Sequence, residues 1–267
     1  MSAPEPSPVP KPRRVRADEL LALQGKAPSR AAAKTLIMAG KVRSGPDALV
    51  SKPATLLPAD TPLTVEQPPR FVGRGGEKLE HALDHFGIAA ADTHALDIGA
   101  STGGFTDCLL QRGAADAVCV DVGRAQLHAR LRADPRVTNI ERVNARELAA
   151  AALPRERFDI VVMDLSFISL TLVLAPAWKR VAAGGWLVAL IKPQFECEKR
   201  VADKFRGVIR DGHEREKAVE RVLAFVRENL TGAEIAGVTE SPIRGGDGNI
   251  EFLLALRRPA DAPATPH

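Results

Sequence analysis

From His94 onward the chain alternates short apolar runs with stretches that read as helices, and nothing else in it narrows the choice of fold so far. HALDIGA (94–100), AVCVDVG (117–123), VTNIERV (137–143), FDIVVMDL (158–165) and GWLVALIK (185–192) read as strands. Helical stretches lie around 76–87, 103–112, 124–133 and 168–183. Strands separated by helices pair in parallel, because each helix carries the chain back to the same end of the sheet. The expected body is therefore an α/β, doubly wound, mostly parallel sheet. A long helix at 212–230 precedes AEIAGVTES (233–241) and IEFLLALR (250–257). Two strands with a short connection predict an antiparallel hairpin at one edge.

The front of the chain has another texture. Residues 1–75 hold 12 Lys/Arg against 6 Asp/Glu, whereas the other 192 hold 25 against 27. A basic front on a near-neutral body predicts two modules, the first facing something anionic. Behind a Pro-rich tail (1–12), residues 13–66 read as a small α+β unit. One helix stops at Gly25; a second, AAAKTLIMAG, opens behind Ser29 as N-cap and closes at Gly40. KVRSGPDALV, SKPATLL and PADTPLTVE then supply a small hairpin sheet. Arg13, Arg14, Arg16, Arg30, Lys34, Lys41, Arg43 and Lys52 recur through this unit, and no aromatic residue does. Bases have nothing there to stack on, which disfavours single-strand binding and suits the backbone of folded RNA. QPPRFVGRG (67–75) reads as a linker, and PADAPATPH (259–267) as a second flexible tail.

Composition excludes several classes. Cys108, Cys119 and Cys197 show no CxxC spacing and read as small buried hydrophobes in a reducing compartment. The six histidines show no zinc-site spacing, and His81 and His85 lack a third ligand, so no metal is expected. No apolar run is long enough to span a membrane, and the N-terminal stretch lacks the apolar core of a secretory signal. A cytoplasmic protein without a membrane partner, and a monomer, is the expectation.

ALDIGASTGGFTD (95–107) is the most informative stretch. A strand ends at Asp97-Ile98-Gly99, and Ala100, Ser101, Thr102, Gly103 and Gly104 turn into a helix. Ligands of doubly wound sheets bind at such strand ends, where glycines admit a close backbone approach. A P-loop needs a Lys after its glycines, and a dinucleotide fingerprint needs GxGxxG; both fail here. Asp97 and Asp107 suit S-adenosylmethionine, whose amino-acid end is cationic, better than a pyrophosphate. Asp121 ends the second strand, placed to accept both hydroxyls of a ribose. Asn144 and Ala145 follow the third, where an adenine would be met. A plain tight strand-to-helix turn is the remaining alternative.

Asp164 ends the fourth strand and Lys192 the fifth, beside that crevice. A Lys closing a wholly apolar strand needs a partner, and Asp164 can supply it. Lys78 precedes the sheet and Glu251 lies in its last strand. With these residues in place the chain resembles the TlyA family of ribosomal RNA 2′-O-methyltransferases, also labelled haemolysins, from about Arg13 to Arg257. SRAAAKTLIMAGKV and KPATLL are similar to an S4-type RNA-binding domain (13–66), although VRSGPDALVSKP departs from the usual Val-Asn-Gly turn. RFVGRGGEKLEHAL, LDIGASTGGFTD, DLSFISL, IKPQFE and SPIRGGDGNIEF resemble an FtsJ-like, Rossmann-like methyltransferase domain (76–258).

The resemblance implies S-adenosylmethionine as cofactor, ribosomal RNA in its subunits as partner, and cytidine in 16S and/or 23S rRNA as target. It also carries a Lys-Asp-Lys-Glu tetrad onto Lys78, Asp164, Lys192 and Glu251. A ribose 2′-hydroxyl must lose its proton as it attacks a sulfonium methyl group. A lysine can take it when burial and a neighbouring cation lower its pKa from about 10.4. Lys192 is assigned that role, with Asp164 orienting it and Lys78 and Glu251 positioning the ribose. Two other classes compete: a membrane-lytic protein, for which the sequence offers no spanning helix, and a non-catalytic RNA-binding factor, against which the complete tetrad argues.

Overall fold

The computed structural model describes residues 13–45, 48–66, 69–148, 151–205 and 207–260. The tail expected at 1–12 and all but Pro259 and Ala260 of the one at 259–267 lie outside the described residues. Two compact units divide the chain, Met1–Pro69 and Arg70–His267.

In the first unit, β1 (Arg14–Arg16) runs directly into α1 (Ala17–Leu23). Ser29 caps α2 (Arg30–Met38) as expected, its Oγ accepting from the Ala32 amide at 3.2 Å. Three short strands follow, β2 (Val42–Ser44), β3 (Leu56–Pro58) and β4 (Leu63–Val65). They do not form one hairpin sheet. β1 pairs with β3 and β2 with β4, both antiparallel. Three residues between a Pro-rich stretch and a helix show no alternation, so β1 is invisible to pattern reading. Leu20, Leu21, Ala33, Ile37, Val42 and Leu63 fill the core.

The second unit opens with α3 (Gly75–Phe86), then β5 (His94–Ile98), α4 (Gly104–Gln111), β6 (Asp116–Asp121), α5 (Ala129–Arg132) and β7 (Val137–Glu141). β8 (Phe158–Met163), α6 (Leu174–Trp178), β9 (Val181–Ile191), α7 (Pro193–Glu196) and α8 (Lys199–Lys204) follow. The chain closes with α9 (Gly212–Asn229), β10 (Glu234–Glu240) and β11 (Phe252–Arg257). The seven strands lie in the order β10-β11-β9-β8-β5-β6-β7. β7, β6, β5, β8 and β9 are parallel, and β11 and β10 form the expected antiparallel edge. Each central strand is buried on both faces. Ile160 and Val162 pack on the side that includes Leu79, Leu83 and Leu109, and Val161 and Met163 on the side of Leu174, Trp178 and Val222. Two-sided burial is why these strands read as unbroken apolar runs. No helix among the described residues is long and apolar enough to cross a membrane.

Three expectations change. The helix expected at 124–133 shrinks to Ala129–Arg132, because Ala125 lies at φ +53° and His128 caps the helix start, its Nδ1 accepting from the Arg130 amide at 3.2 Å. The one at 168–183 is a short turn at Leu170–Leu172 and the five-residue α6, and β9 begins at Val181. Gly184 and Gly185 hid that start: Gly184 has φ +75°, and a Cβ on Gly185 would meet the Asp159 carbonyl at 2.8 Å. Residues 70–75, expected as linker, are built into the second unit. Phe71 is buried among Leu79, Ala82 and Phe105, the Val72 amide donates to Asp107 Oδ2 at 2.8 Å, and Gln111 Nε2 donates to the Arg70 carbonyl at 3.0 Å. A Cβ on Gly76 would lie 2.2 Å from the Phe71 ring, so glycine there makes the ring's seat.

Both tryptophans, Trp178 and Trp186, belong to the second unit, so their fluorescence follows its unfolding alone. Phe71→Ala is expected to lower the urea stability read that way by about 3 kcal/mol. A passive linker would leave the transition unmoved.

Candidate active site

Winding reverses at β5: β6 and β7 lie on one side of it, β8 and β9 on the other. A crevice opens above the carboxyl ends of β5 and β8, the place where such sheets bind ligands. Gly99 (φ +82°) and Ser101 (φ +48°) turn the chain from β5 into α4. A cavity of about 190 Å³ lies over this turn, lined by Asp97, Gly99, Ser101, Thr102, Gly104, Asp164 and Lys192 among others.

Asp97 is fully buried. Its Oδ2 accepts from the Thr106 amide at 3.1 Å and the Thr106 hydroxyl at 2.7 Å, while Oδ1 has no hydrogen-bond partner among the described residues. Burial pushes its pKa up to about 7 against the pull of the Thr106 hydroxyl, with the charges of Asp164 and Asp121 adding to the rise. A buried acid with an unanswered oxygen is the partner a cationic ligand group requires.

A second cavity of about 440 Å³ shares Gly99, Ser101, Asp164 and Ser166 with the first and extends past Asp121, Asn144 and Ala145. Backbone amides fix both Asp121 oxygens: Ser101 donates to Oδ2 at 2.8 Å and Gly123 to Oδ1 at 2.7 Å. Each oxygen keeps a lone pair free for a diol. Val122, Val143, Leu165 and Ile168 give this cavity apolar walls. The paired cavities therefore suit a ligand with a cationic end, a diol and a flat apolar base, the parts of S-adenosylmethionine. Gly103 lines neither cavity; a Cβ there would meet Leu131 at 2.3 Å and Leu127 at 2.7 Å, so it makes room for packing beneath the turn.

All four tetrad residues come together in two pairs. Lys192 Nζ stands 2.6 Å from Asp164 Oδ1 and donates to Ser166 Oγ at 2.9 Å. Lys78, on α3, is paired with Glu251, and both are buried. Beyond Lys192 a third cavity of about 570 Å³ opens, lined by Ser166, Phe167, Gln194, Phe195, Asp203, Asp247 and Glu251 among others. Lys192 thus belongs to the wall of the first cavity and of the third. Phe167 is 91% exposed, in the left-handed region at φ +63°, with its ring centroid 5.2 Å from that of Phe195. An exposed aromatic held in that conformation is a surface for stacking. Sequence reading missed Ser166, Phe167 and Phe195; their signal was position, just past the ends of β8 and β9.

In the first unit, Arg16, Arg30, Lys34 and Lys52 border one open hollow around Asp18. Asp18 is buried, 3.0 Å from Arg16 and 3.4 Å from Arg30, and its hydrogen bond from Arg16 holds its pKa below the usual range. One acid leaves most of this positive charge uncancelled. Arg43 lies 4.0 Å from Glu66, and Arg13, Arg14 and Lys41 stand off the hollow. No cluster that could hold a metal ion occurs among the described residues.

Residues 71–258 match the FtsJ-like methyltransferase family. The chain is 45% identical over 252 residues to the 16S/23S rRNA (cytidine-2′-O)-methyltransferase TlyA of Mycobacterium tuberculosis, covering 93% of this chain and 92% of that one. It is 40% identical over 239 residues to Hemolysin A of Brachyspira hyodysenteriae, covering 90% of this chain and 98% of that one. A structure solved from Streptococcus thermophilus under the name hemolysin superposes with a TM-score of 0.67 at 39% identity, covering 94% and 92% of the two chains.

A Cβ on Gly99 would meet the Asp164 carbonyl at 2.8 Å and the Leu165 side chain at 2.7 Å. Gly99→Ala is expected to cost about 1–3 kcal/mol of stability in urea unfolding, because a positive φ and a backbone collision act together. Wild-type stability would show that the turn can shift away from Asp164.

Proposed function

The chain belongs to the FtsJ-like methyltransferases and, within them, to the family of TlyA; from that membership we propose that it transfers a methyl group from S-adenosylmethionine to a ribose 2′-hydroxyl of ribosomal RNA, with cytidine as the target. One observation carries this reading: Lys192 lines both the cavity suited to the cofactor and the larger cavity beside the stacking aromatics. The first unit is assigned the S4-type docking role. With such a substrate, the cytoplasm is the compartment we assign to the protein.

Asp97 and the turn Gly99–Gly104 hold the amino-acid end of the cofactor, Asp121 its ribose, and Asn144 and Ala145 border its base. When bound, the cofactor supplies an electrophilic methyl group on a sulfonium. Every other part of the task falls to the protein. Phe167 and Phe195 take the face of a base turned out of the RNA, which leaves its ribose over Lys192. Lys192 is the group assigned to take the 2′-hydroxyl proton as the oxygen attacks. Asp164 then stabilises the ammonium so formed, while Ser166 fixes the direction of Nζ. The Lys78–Glu251 pair contributes a closed, charge-balanced floor. Holding nucleophile and methyl group in line supplies much of the remaining rate.

Lys192→Ala is expected to lower methyl transfer to ribosomal subunits by about 10²–10⁴-fold, measured with labelled S-adenosylmethionine, while the cofactor still binds. Transfer at the wild-type rate would remove Lys192 from the chemistry. For docking, Lys34→Ala and Lys52→Ala are each expected to weaken subunit binding and to reduce the slope of log affinity against log salt by about 1. An unchanged slope would take the hollow out of the interface.

A further inference from the structure

Asp97 combines two properties that conflict in an empty site. It is fully buried, and its Oδ1 has no donor among the described residues, although Oδ2 accepts twice from Thr106. The charged and titratable groups around it do not resolve the conflict. Asp164, after β8, and Asp121, at the end of β6, are both negative neighbours. Lys192, after β9, lines the same cavity but is held by Asp164 and Ser166. Lys78, on α3, is held by Glu251. On α4, Asp107 is turned to Arg130 at 2.6 Å, and the Cys119 thiol of β6, beside Asp97 in the sheet, lies 3.0 Å from the Thr106 hydroxyl that already serves Asp97. A carboxylate here faces burial and two other carboxylates without a cation of its own; a carboxylic acid does not.

Resting on the cofactor reading above, we propose that Asp97 holds a proton while the cavity is empty and releases it as the ammonium end of S-adenosylmethionine enters. The O–H bond of the acid breaks, the proton leaves to solvent, and an ammonium N–H becomes the donor that Oδ1 lacked. Cofactor capture and proton release are then one event. Burial pushes the pKa of the group up to about 7, which places the effect in the physiological range. Only the ionised form accepts the ammonium, so affinity falls as pH falls. The ligand's amino group, with an unperturbed pKa of about 7.7–8.0, stays protonated below that range, so the window from pH 5.5 to 7 isolates Asp97. Between pH 7 and pH 6 the dissociation constant is expected to rise about fivefold.

The test is calorimetric titration of the full chain at pH 6.5 in buffers of different ionisation enthalpy. Three ligands are compared: S-adenosylmethionine, S-adenosylhomocysteine, which keeps the ammonium, and methylthioadenosine, which lacks the amino-acid end. The first two should each release most of one proton and the third none, and Asp97→Asn should bind without release. Binding heats of S-adenosylmethionine that are the same in every buffer would overturn the proposal while leaving the cofactor reading intact. Equal release with methylthioadenosine would overturn it as well, whether or not the Asn variant folds. Release that persists in a folded Asp97→Asn protein would assign the proton elsewhere and overturn it too. No binding by any of the three ligands would overturn the cofactor reading itself, and this proposal with it.

Discussion

The parallel pairing of β5 with β8, running from Ala95 against Ile160 to Ile98 against Met163, is the contact from which the site follows. These strands are not consecutive in the chain, so the helices that follow them leave in opposite directions and a crevice opens between. The same register carries Asp97 and Gly99 to one side of that crevice and Asp164 to the other. Pairing of β8 with β9, Met163 against Ala189, then brings Lys192 to Asp164. Because a slip by one residue would turn every side chain to the opposite face, the ladder fixes the chemistry as firmly as it fixes the core.

Charge in this crevice is held at a cost. Lys78, Lys192, Asp97 and Glu251 are all at least nine-tenths buried. Pairing a buried cation with a buried anion recovers desolvation only when geometry is good, and such pairs are weak evidence for stability. Lys78 with Glu251 and Lys192 with Asp164 are better understood as positioning devices: each fixes a long side chain that solvent would otherwise leave free. Asp97 stands outside this pairing. Its two hydrogen bonds from Thr106 answer one oxygen, and the other is left to the ligand.

What could be seen in the sequence divides along physical lines. The central strands were legible because burial on both faces writes a continuous apolar run. Lys192 was legible because a charge that ends such a run demands an explanation. Asp121 was legible as the acid at the next strand end. Phe71 was not, since one aromatic among Pro and Gly looks like linker until Gly76 is seen to leave space for its ring. Nor was the start of β9, where two glycines imitate a loop. Phe167 was illegible for a third reason: its exposure and its left-handed backbone are set by how the loop after β8 closes, which no local pattern encodes.

The cofactor side and the substrate side of Lys192 differ in kind, and the difference matters for the order of events. On one side the walls are backbone and fixed acids: the turn from Gly99 to Gly104, and Asp121 anchored by two amides. Rigid walls of this sort suit a small ligand of constant shape, and they place its reactive end without reorganisation. On the other side the walls are side chains of the short helices α7 and α8 and of the loops after β8 and before β11, with Phe167 almost wholly exposed. Loops can yield to a large partner and close on a base once it has been turned out. A reaction joining a small constant donor to a large variable acceptor needs this asymmetry. In the proposed reaction Lys192 sits at its boundary: it lines both cavities, while its anchor, Asp164, lines only those assigned to the donor.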